Sequence, residues 1–151
     1  MTDEQYNASL WLSRMDELAA EIESLEVRKE AIIAALGGVA RYDADSFTGS
    51  SGNPTETKNI EYALLSEKIE KKMLTLSAEN ARTLDVIDRI DDTPDGRKFK
   101  SILINKHLNL YSWKKMQEEH HYERTAMYDW YKKALAAVAP FVPKECVICG
   151  G

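Results

Sequence analysis

The most reactive side chains in this sequence belong to two cysteines and three histidines. Cys146 and Cys149 form a Cys-x-x-Cys pair close to the last residue, and His107, His120 and His121 lie in the last third of the chain. A zinc site usually needs four ligands, and a redox pair normally opens a helix after a strand. Neither context accompanies these residues. We therefore expect no metal site and a neutral tail at the cysteines, with a metal bridging two chains as the alternative for that pair.

Sequence patterns typical of catalytic sites do not occur either. No serine elbow, recognisable carboxylate pair or phosphate-binding glycine loop accompanies His107. Residues 37–55 are rich in Gly, Ser, Asn and Pro, but their spacing is not that of a Walker or dinucleotide loop, and we interpret them as a flexible connection. The sequence therefore predicts no enzymatic activity, no catalytic residue and no cofactor.

Cationic side chains are instead concentrated in one segment. The chain carries a net charge of −5 overall. Residues 1–96 hold 10 Lys and Arg against 20 Asp and Glu, whereas residues 97–144 hold 10 against 4. Because salt screens exposed charges beyond roughly 8–10 Å at physiological ionic strength, a polyanion responds to the local field. The basic segment therefore predicts a surface for duplex DNA.

Three short helices are predicted to position these cations. The first covers residues 97–108 and stops at Asn109, which tolerates the left-handed conformation. Ser112 can cap the second helix, and a tight turn falls around His121, since histidine tolerates a positive φ. The third begins near Glu123 and buries a stripe with steps of three and four. The aromatic residues predicted to form the small core are Trp113, Tyr122, Trp130 and Tyr131.

Two helices that meet at a short turn, the second longer and cationic, match the geometry that places a recognition helix in the major groove. Arg124 can donate to both O6 and N7 of guanine, while Thr125 and Tyr128 can reach a base edge or a phosphate. Lysines of both helices suit backbone oxygens. The predicted DNA-binding residues are Ser112, Lys114, Lys115, Arg124, Thr125, Tyr128, Lys132 and Lys133.

The run LYSWKKMQEEHHYERTAMYDWYKKAL resembles a known kind of helix-turn-helix. It is similar to region four of sigma factors, and more closely to phage-encoded transcriptional regulators of the ArpU and RinA kind. The matching residues are Ser112, Trp113, Met116, His121, Tyr122, Arg124, Met127, Tyr128, Ala134 and Leu135. Glu123 departs from the usual Ser, and Asp129 stands where a basic residue is common. The resemblance implies a regulator that binds promoter DNA and contacts host RNA polymerase in a bacterial cell.

The acidic N-terminal part is predicted to be a long antiparallel helical hairpin. Apolar positions recur at steps of three and four over residues 4–36 and again over residues 56–90, with Gly37 and Gly38 ending the first helix. Asn80 either fixes the register or points to solvent. The first stripe consists of Trp11, Met15, Leu18, Ile22, Leu25, Ile32 and Leu36, and the second of Ile69, Met73, Leu76, Thr83, Ile87 and Ile90. Two stripes in so thin a segment predict a homodimer.

The sequence as a whole predicts an all-α protein. A coiled-coil-like hairpin over residues 1–91, with a loop at 37–55, is followed by a linker at 92–96, a helix-turn-helix module at 97–142 and a tail at 143–151. No stretch approaches the roughly 20 apolar residues that span a bilayer, so we expect a cytoplasmic protein without a membrane partner. The expected function is that of a phage or prophage transcriptional regulator. The alternatives are a helical interaction protein that does not bind DNA and a phage small terminase subunit.

Overall fold

Helices account for every element in the described part of the chain. The computed structural model describes residues 1–46 and 52–143. The helices are α1 (Asp3–Ser46), α2 (Gly52–Ile87), α3 (Pro94–Leu103), α4 (Trp113–His120) and α5 (Arg124–Val138). A π-helical turn, Ile104–Leu108, continues α3, and a 3-10 turn, Ala139–Phe141, follows α5. The predicted all-α class is confirmed. Within the described ranges, no helix is long and apolar enough to cross a membrane.

The two long helices extend into the segment that the sequence assigns to a loop. α1 passes through both glycines predicted to end it and continues to Ser46, and α2 already begins at Gly52. The predicted loop at 37–55 is therefore wrong at both bounds; the residues between the two helices lie outside the described part. A glycine costs about 1 kcal/mol relative to alanine, which weakens a helix without ending it. Pro54 stands in the first turn of α2, where a backbone N–H has no intrahelical acceptor to lose.

Residues 18–76 form a compact unit from the two long helices alone, called here the two-helix unit. The helices run antiparallel, because a Glu21 carboxylate oxygen lies 2.5 Å from Lys72 Nζ while Arg28 Nε lies 2.8 Å from a Glu61 oxygen. The buried side chains of their seam are Ile22, Ile32 and Ile69. Among the residues whose side chains are described, three buried isoleucines and two ion pairs therefore join the two helices.

Most of the two predicted apolar stripes is turned away from solvent. The buried members are Trp11, Met15, Ile22, Ile32, Ile69, Thr83, Ile87 and Ile90, and the half-buried ones are Leu18, Leu25, Leu36 and Leu76. Met73 is the exception, since 50% of its surface is exposed, and its assignment to the stripe is wrong. The neighbouring Lys72 lies nearer the seam at this level, with only 27% of its side chain exposed, because it reaches across to Glu21.

The other unit, called here the five-helix unit, consists of residues 1–17 and 77–151, which the structure describes as far as 143. Its core combines the first part of α1 and the last part of α2 with the three short helices. The buried core residues are Ala8, Trp11, Leu12, Val86, Ile87, Ile90, Ile102, Leu103, Met116, Met127, Tyr131, Ala134, Leu135, Val138 and Val142. The charge of the chain changes sign near residues 92–96, but the apolar core continues across that point.

An arginine joins α1 to α2 within the five-helix unit. Arg14 donates from Nη2 and Nε to one carboxylate oxygen of Glu79, at 2.7 and 3.2 Å, and from Nη2 to the Thr83 hydroxyl at 3.0 Å. Its guanidinium also lies 3.7 Å from the centroid of a Trp11 ring. Thr83 is fully buried, so the arginine satisfies a hydroxyl that would otherwise be costly within an apolar stripe.

A capping box fixes the start of α1 against α5. The Thr2 hydroxyl accepts from the Gln5 amide at 3.2 Å, and the Gln5 side-chain oxygen accepts from the Thr2 amide at 2.8 Å. The remaining Nε2 of Gln5 donates to the backbone oxygen of Lys132 at 2.9 Å. One glutamine therefore caps the start of α1 and anchors it to the middle of α5.

Candidate nucleic-acid interface

The first short helix begins earlier than the sequence predicts. α3 starts at Pro94, and the Thr93 hydroxyl caps it by accepting from the Gly96 amide at 2.9 Å. Proline suits this position because its fixed φ fits the first helical turn. A Cβ at Gly96 would lie 1.8 Å from the backbone oxygen of Asp91, so no other residue fits without a shift of the chain. Residues 94–96, predicted as part of the linker at 92–96, therefore belong to the first turn of α3.

The left-handed residue after α3 lies one position beyond the predicted one. Asn109 has a φ of −85°, and the residue with positive φ is Leu110, at 56°. The prediction of a left-handed Asn109 is wrong, and its physical reason is the π-helical turn. There the Asn109 amide donates to the oxygen of Ile104, five residues earlier, instead of four. The wider turn displaces the point at which the chain reverses.

The turn between α4 and α5 agrees with its prediction. Ser112 caps α4 by accepting from the Lys115 amide at 3.1 Å. His121 ends this helix in the left-handed conformation, with φ 59° and ψ 43°. Glu123 stands at the N-cap of α5 and makes no capping bond with its side chain. A short helix, a left-handed residue and a 15-residue helix thus follow one another, as in a helix-turn-helix.

The exposed side of α5 and the adjacent face of α4 enclose a groove of about 740 Å³. Its lining consists of Trp113, Gln117, Arg124, Thr125, Tyr128, Asp129 and Lys132. Four predicted DNA-binding residues of α5 are therefore brought to one surface. Lys133 is exposed on the same helix but does not line the groove.

The predicted residues of α4 do not line this groove. The Ser112 hydroxyl already accepts the capping bond, and Lys114 is exposed elsewhere on the helix. Lys115 Nζ lies 3.2 Å from a Glu119 carboxylate oxygen, and this hydrogen bond raises the pKa of the Lys115 ammonium. Its charge is thus partly balanced within α4.

Aromatic rings support the cations at the groove. Trp113 and Tyr128 lie 5.9 Å apart between ring centroids, and Lys132 Nζ lies 5.3 Å from the Tyr128 centroid. Lys106 Nζ lies 4.6 Å from the Trp113 centroid, a placement that the sequence missed because the π-helical turn shifts this residue. Asp129 is 3.5 Å from Lys132 and counteracts its charge. The Trp113 ring is half-buried against the core, whereas Tyr128 is more exposed.

A buried histidine lies where α1, the π-helical turn and α5 meet. His107 is 1% exposed; its Nε2 shares a 2.8 Å hydrogen bond with the Tyr131 hydroxyl, and its Nδ1 lies 3.9 Å from an Asp16 oxygen. Burial, with a smaller effect of Lys106, lowers the pKa of His107 from 6.5 to about 3. Burial likewise raises the pKa of the Tyr131 hydroxyl. His107 is therefore a neutral, enclosed side chain that joins the π-helical turn to α5 through its hydrogen bond to Tyr131.

The remaining histidines form no metal site in the described part of the chain. His120 Nε2 lies 3.2 Å from the side-chain nitrogen of Asn105, and burial lowers the pKa of its imidazole. Among residues 1–46 and 52–143, no three His, Cys, Asp or Glu side chains are grouped so as to hold a metal ion. Cys146 and Cys149 lie outside the described residues.

Comparison with known proteins adds no further constraint. No family model matches the sequence, and no similar chain was found among curated proteins or solved structures. The functional argument therefore depends on the geometry of α4 and α5 and on the residues that they expose.

Proposed function

We propose that this protein binds duplex DNA with α5 in the major groove. The observation that supports this most directly is the convergence of Arg124, Thr125, Tyr128 and Lys132 on one groove after a capped α4 and a left-handed turn. Arg124 stands at the start of α5, where a recognition helix approaches base edges, and Lys132 stands two turns later, where it suits a phosphate. Arg124 is therefore a reading residue and Lys132 a positioning residue.

The regulatory role proposed for this DNA binding is that of a phage or prophage transcriptional regulator. It rests on the resemblance of residues 110–135 to the ArpU and RinA kind of regulator and to sigma region four. A contact with host RNA polymerase is part of the same proposal. Transcription from a promoter beside the gene, measured with purified polymerase, should change when the protein is added.

Salt-dependent binding to duplex DNA tests the proposal. A labelled 20-base-pair duplex of mixed sequence, followed by fluorescence anisotropy, should bind at low salt and dissociate as salt rises. Lys132→Ala should reduce the slope of log affinity against log salt by about one. Arg124→Ala should cost about 1–3 kcal/mol on a duplex selected from a random library, and much less on the mixed sequence.

Two further variants compare a charge far from the groove with one beside it. Lys68→Ala removes an exposed charge from the two-helix unit and should leave the affinity unchanged. Asp129→Asn removes the carboxylate 3.5 Å from Lys132 and should strengthen binding roughly two- to tenfold, because it no longer repels phosphate. A wild-type protein that does not bind the duplex even at low salt refutes the proposal.

A specific observation favours a second candidate, an interaction protein that does not bind DNA. Trp113 and Tyr128 present their rings to the groove, and Asp129 adds a carboxylate to it. An aromatic groove with a carboxylate also fits an apolar protein segment that carries a cation. This candidate would be favoured over a regulator or a terminase subunit if the protein does not bind duplex DNA and binds such a protein segment with an affinity that is insensitive to salt.

The two-helix unit supports a homodimer as the proposed assembly. On α2 it leaves Ile60, Leu64 and Leu74 exposed by 58%, 62% and 71%. Glu67 and Lys71 lie between them on the same side of the helix, 3.1 Å apart. In an antiparallel contact of two α2 helices centred at position 69, Leu64 would face Leu74 of the partner subunit and Glu67 would face Lys71 of the partner subunit. The surface is therefore complementary to itself, as a two-fold contact requires.

A further inference from the structure

A second group of cations and rings lies on the other edge of α5 from the groove. Lys98 Nζ, from α3, lies 4.2 Å from the centroid of a Trp130 ring, and Lys133 Nζ lies 5.0 Å from it. Tyr122 stacks on Trp130 with centroids 5.9 Å apart and planes inclined by 21°. Lys98 also donates a hydrogen bond to the Tyr122 hydroxyl. Two ammonium groups thus lie close to the ring of Trp130.

These two ammonium groups are available to an anion. No carboxylate in the described part of the chain forms an ion pair with Lys98 or Lys133, in contrast to Lys132 and Lys115. The rings hold the Lys98 ammonium in one place, so that binding an anion requires little further loss of side-chain freedom. A phosphate between the two ammonium groups would meet donors from α3 and from α5.

The geometry of α5 relates this group to the groove. Successive helical residues are about 100° apart, so Tyr128 at the groove and Trp130 lie about 200° apart around the axis. The exposed strip between them carries Thr125 and Asp129. A helix with its side chains is about 10–12 Å wide, and the major groove is about 12 Å wide. A helix placed there faces a phosphate backbone on each edge.

We propose that Lys98 and Lys133 form a second phosphate-binding site, on the edge of α5 opposite the groove and flanked by Trp130 and Tyr122. The site takes a phosphodiester of duplex DNA, and it deepens the proposed function, on which it rests. Lys132 and Lys106 on the groove edge contact one backbone, while Lys98 and Lys133 contact the other. Lys98 is a positioning residue because it approaches no base.

Lys98→Gln in the full chain tests this site with the mixed-sequence 20-base-pair duplex. It should reduce the salt slope by about one, because one phosphate contact is lost. Lys98→Arg keeps the cation and should restore the slope. The matched control is Lys100→Gln, which removes the same charge from α3 at a lysine 4.0 Å from Asp92, and it should leave the slope unchanged. Circular dichroism should show equal helicity in all four proteins.

The outcomes separate this inference from the proposed function. A wild-type slope for Lys98→Gln overturns the second phosphate site and leaves DNA binding by α5 standing. Equal reductions by Lys98→Gln and Lys100→Gln also overturn it, because the effect would then follow net charge and not position. A wild-type chain that fails to bind the duplex overturns both proposals together.

Discussion

The two units use different portions of the same two long helices and differ in what covers their apolar side chains. In the five-helix unit the short helices pack over the pair, and side chains such as Leu12 and Ile87 are wholly buried. In the two-helix unit, the side chains that the structure describes include three buried isoleucines, while Val27 and Leu64 remain about 60% exposed. The same helical period therefore gives a closed core where further helices are added and leaves an apolar face where none is. Burial stabilises the first unit, and exposed ion pairs contribute little to the second.

The largest expected effect of a single substitution is at Trp11. Its side chain is 2% exposed within the core of the five-helix unit, so Trp11→Ala should lower the free energy of unfolding by about 3–5 kcal/mol. Val27→Ala, at a position 59% exposed on the same helix, should change it by about 0.5 kcal/mol or less. Urea denaturation followed by circular dichroism measures both values.

Trp11→Phe sharpens this comparison. It keeps most of the ring volume and removes an indole N–H that has no acceptor among the described residues, so it should cost much less than Trp11→Ala. Similar losses for Trp11→Ala and Val27→Ala would contradict the difference between the units.

The sequence predicted the local features of the candidate nucleic-acid interface better than the contacts between its helices. The Ser112 cap and the left-handed His121 depend on a few neighbouring residues, and both are confirmed. Leu110 was missed because a π-helical turn leaves no distinct residue pattern, and the same turn hid the approach of Lys106 to Trp113. The place of Lys98 beside Trp130 depends on the packing of α3 on α5, which a pattern along one helix does not specify.

The sequence could not predict how far the core of the five-helix unit extends along the long helices, for a related reason. Trp11 and Ile87 belong to continuous stripes along the long helices, and nothing in a stripe indicates where the partner changes from one helix to several. The change of charge near residues 92–96 predicted a boundary, but charge describes the exposed face and not the buried one. The exposed face and the core require different residue types, so the charge pattern and the apolar pattern need not change at the same residue.

Acid should destabilise the five-helix unit at a higher pH than the two-helix unit. The unfolded chain protonates His107 below about 6.5, whereas burial holds its folded pKa at about 3. Stability is therefore lost as pH falls through this window, by up to about 1.4 kcal/mol per pH unit. Burial raises the pKa of Asp16, which offsets part of this loss because the folded state then binds a proton more readily.

The two-helix unit should also lose stability as pH falls, but over a lower pH range. The hydrogen bond from Lys72 lowers the pKa of Glu21, and that from Arg28 lowers the pKa of Glu61, both from 4.5. Their contribution is lost only as pH falls below about 4.5. Hydrogen exchange at pH 7 and pH 5.5, corrected for intrinsic rates, should show reduced protection in peptides of the five-helix unit alone. His107→Gln should remove most of this difference, and the lowered pKa of His120 should account for the remainder. An equal response of both units would contradict the prediction.

The smallest expected effect concerns the ion pairs of the proposed α2 contact. Glu67→Lys would place like charges opposite each other at two symmetric positions, where exposed ion pairs contribute about 0.2–1 kcal/mol each. We expect the dimer dissociation constant, measured by sedimentation over a range of concentrations, to rise roughly two- to tenfold. Lys71→Glu should act in the same direction, and the protein with both changes should regain wild-type dimerisation.

Glu70→Lys changes charge equally at a neighbouring position outside this strip and serves as the control. Glu67 and Lys71 also pair within one helix at 3.1 Å, so helicity at monomeric concentrations must be compared among the variants. If the double variant dissociates as readily as either single one, the two α2 helices do not meet in this register, and a wild-type protein that stays monomeric at tens of micromolar excludes the contact altogether.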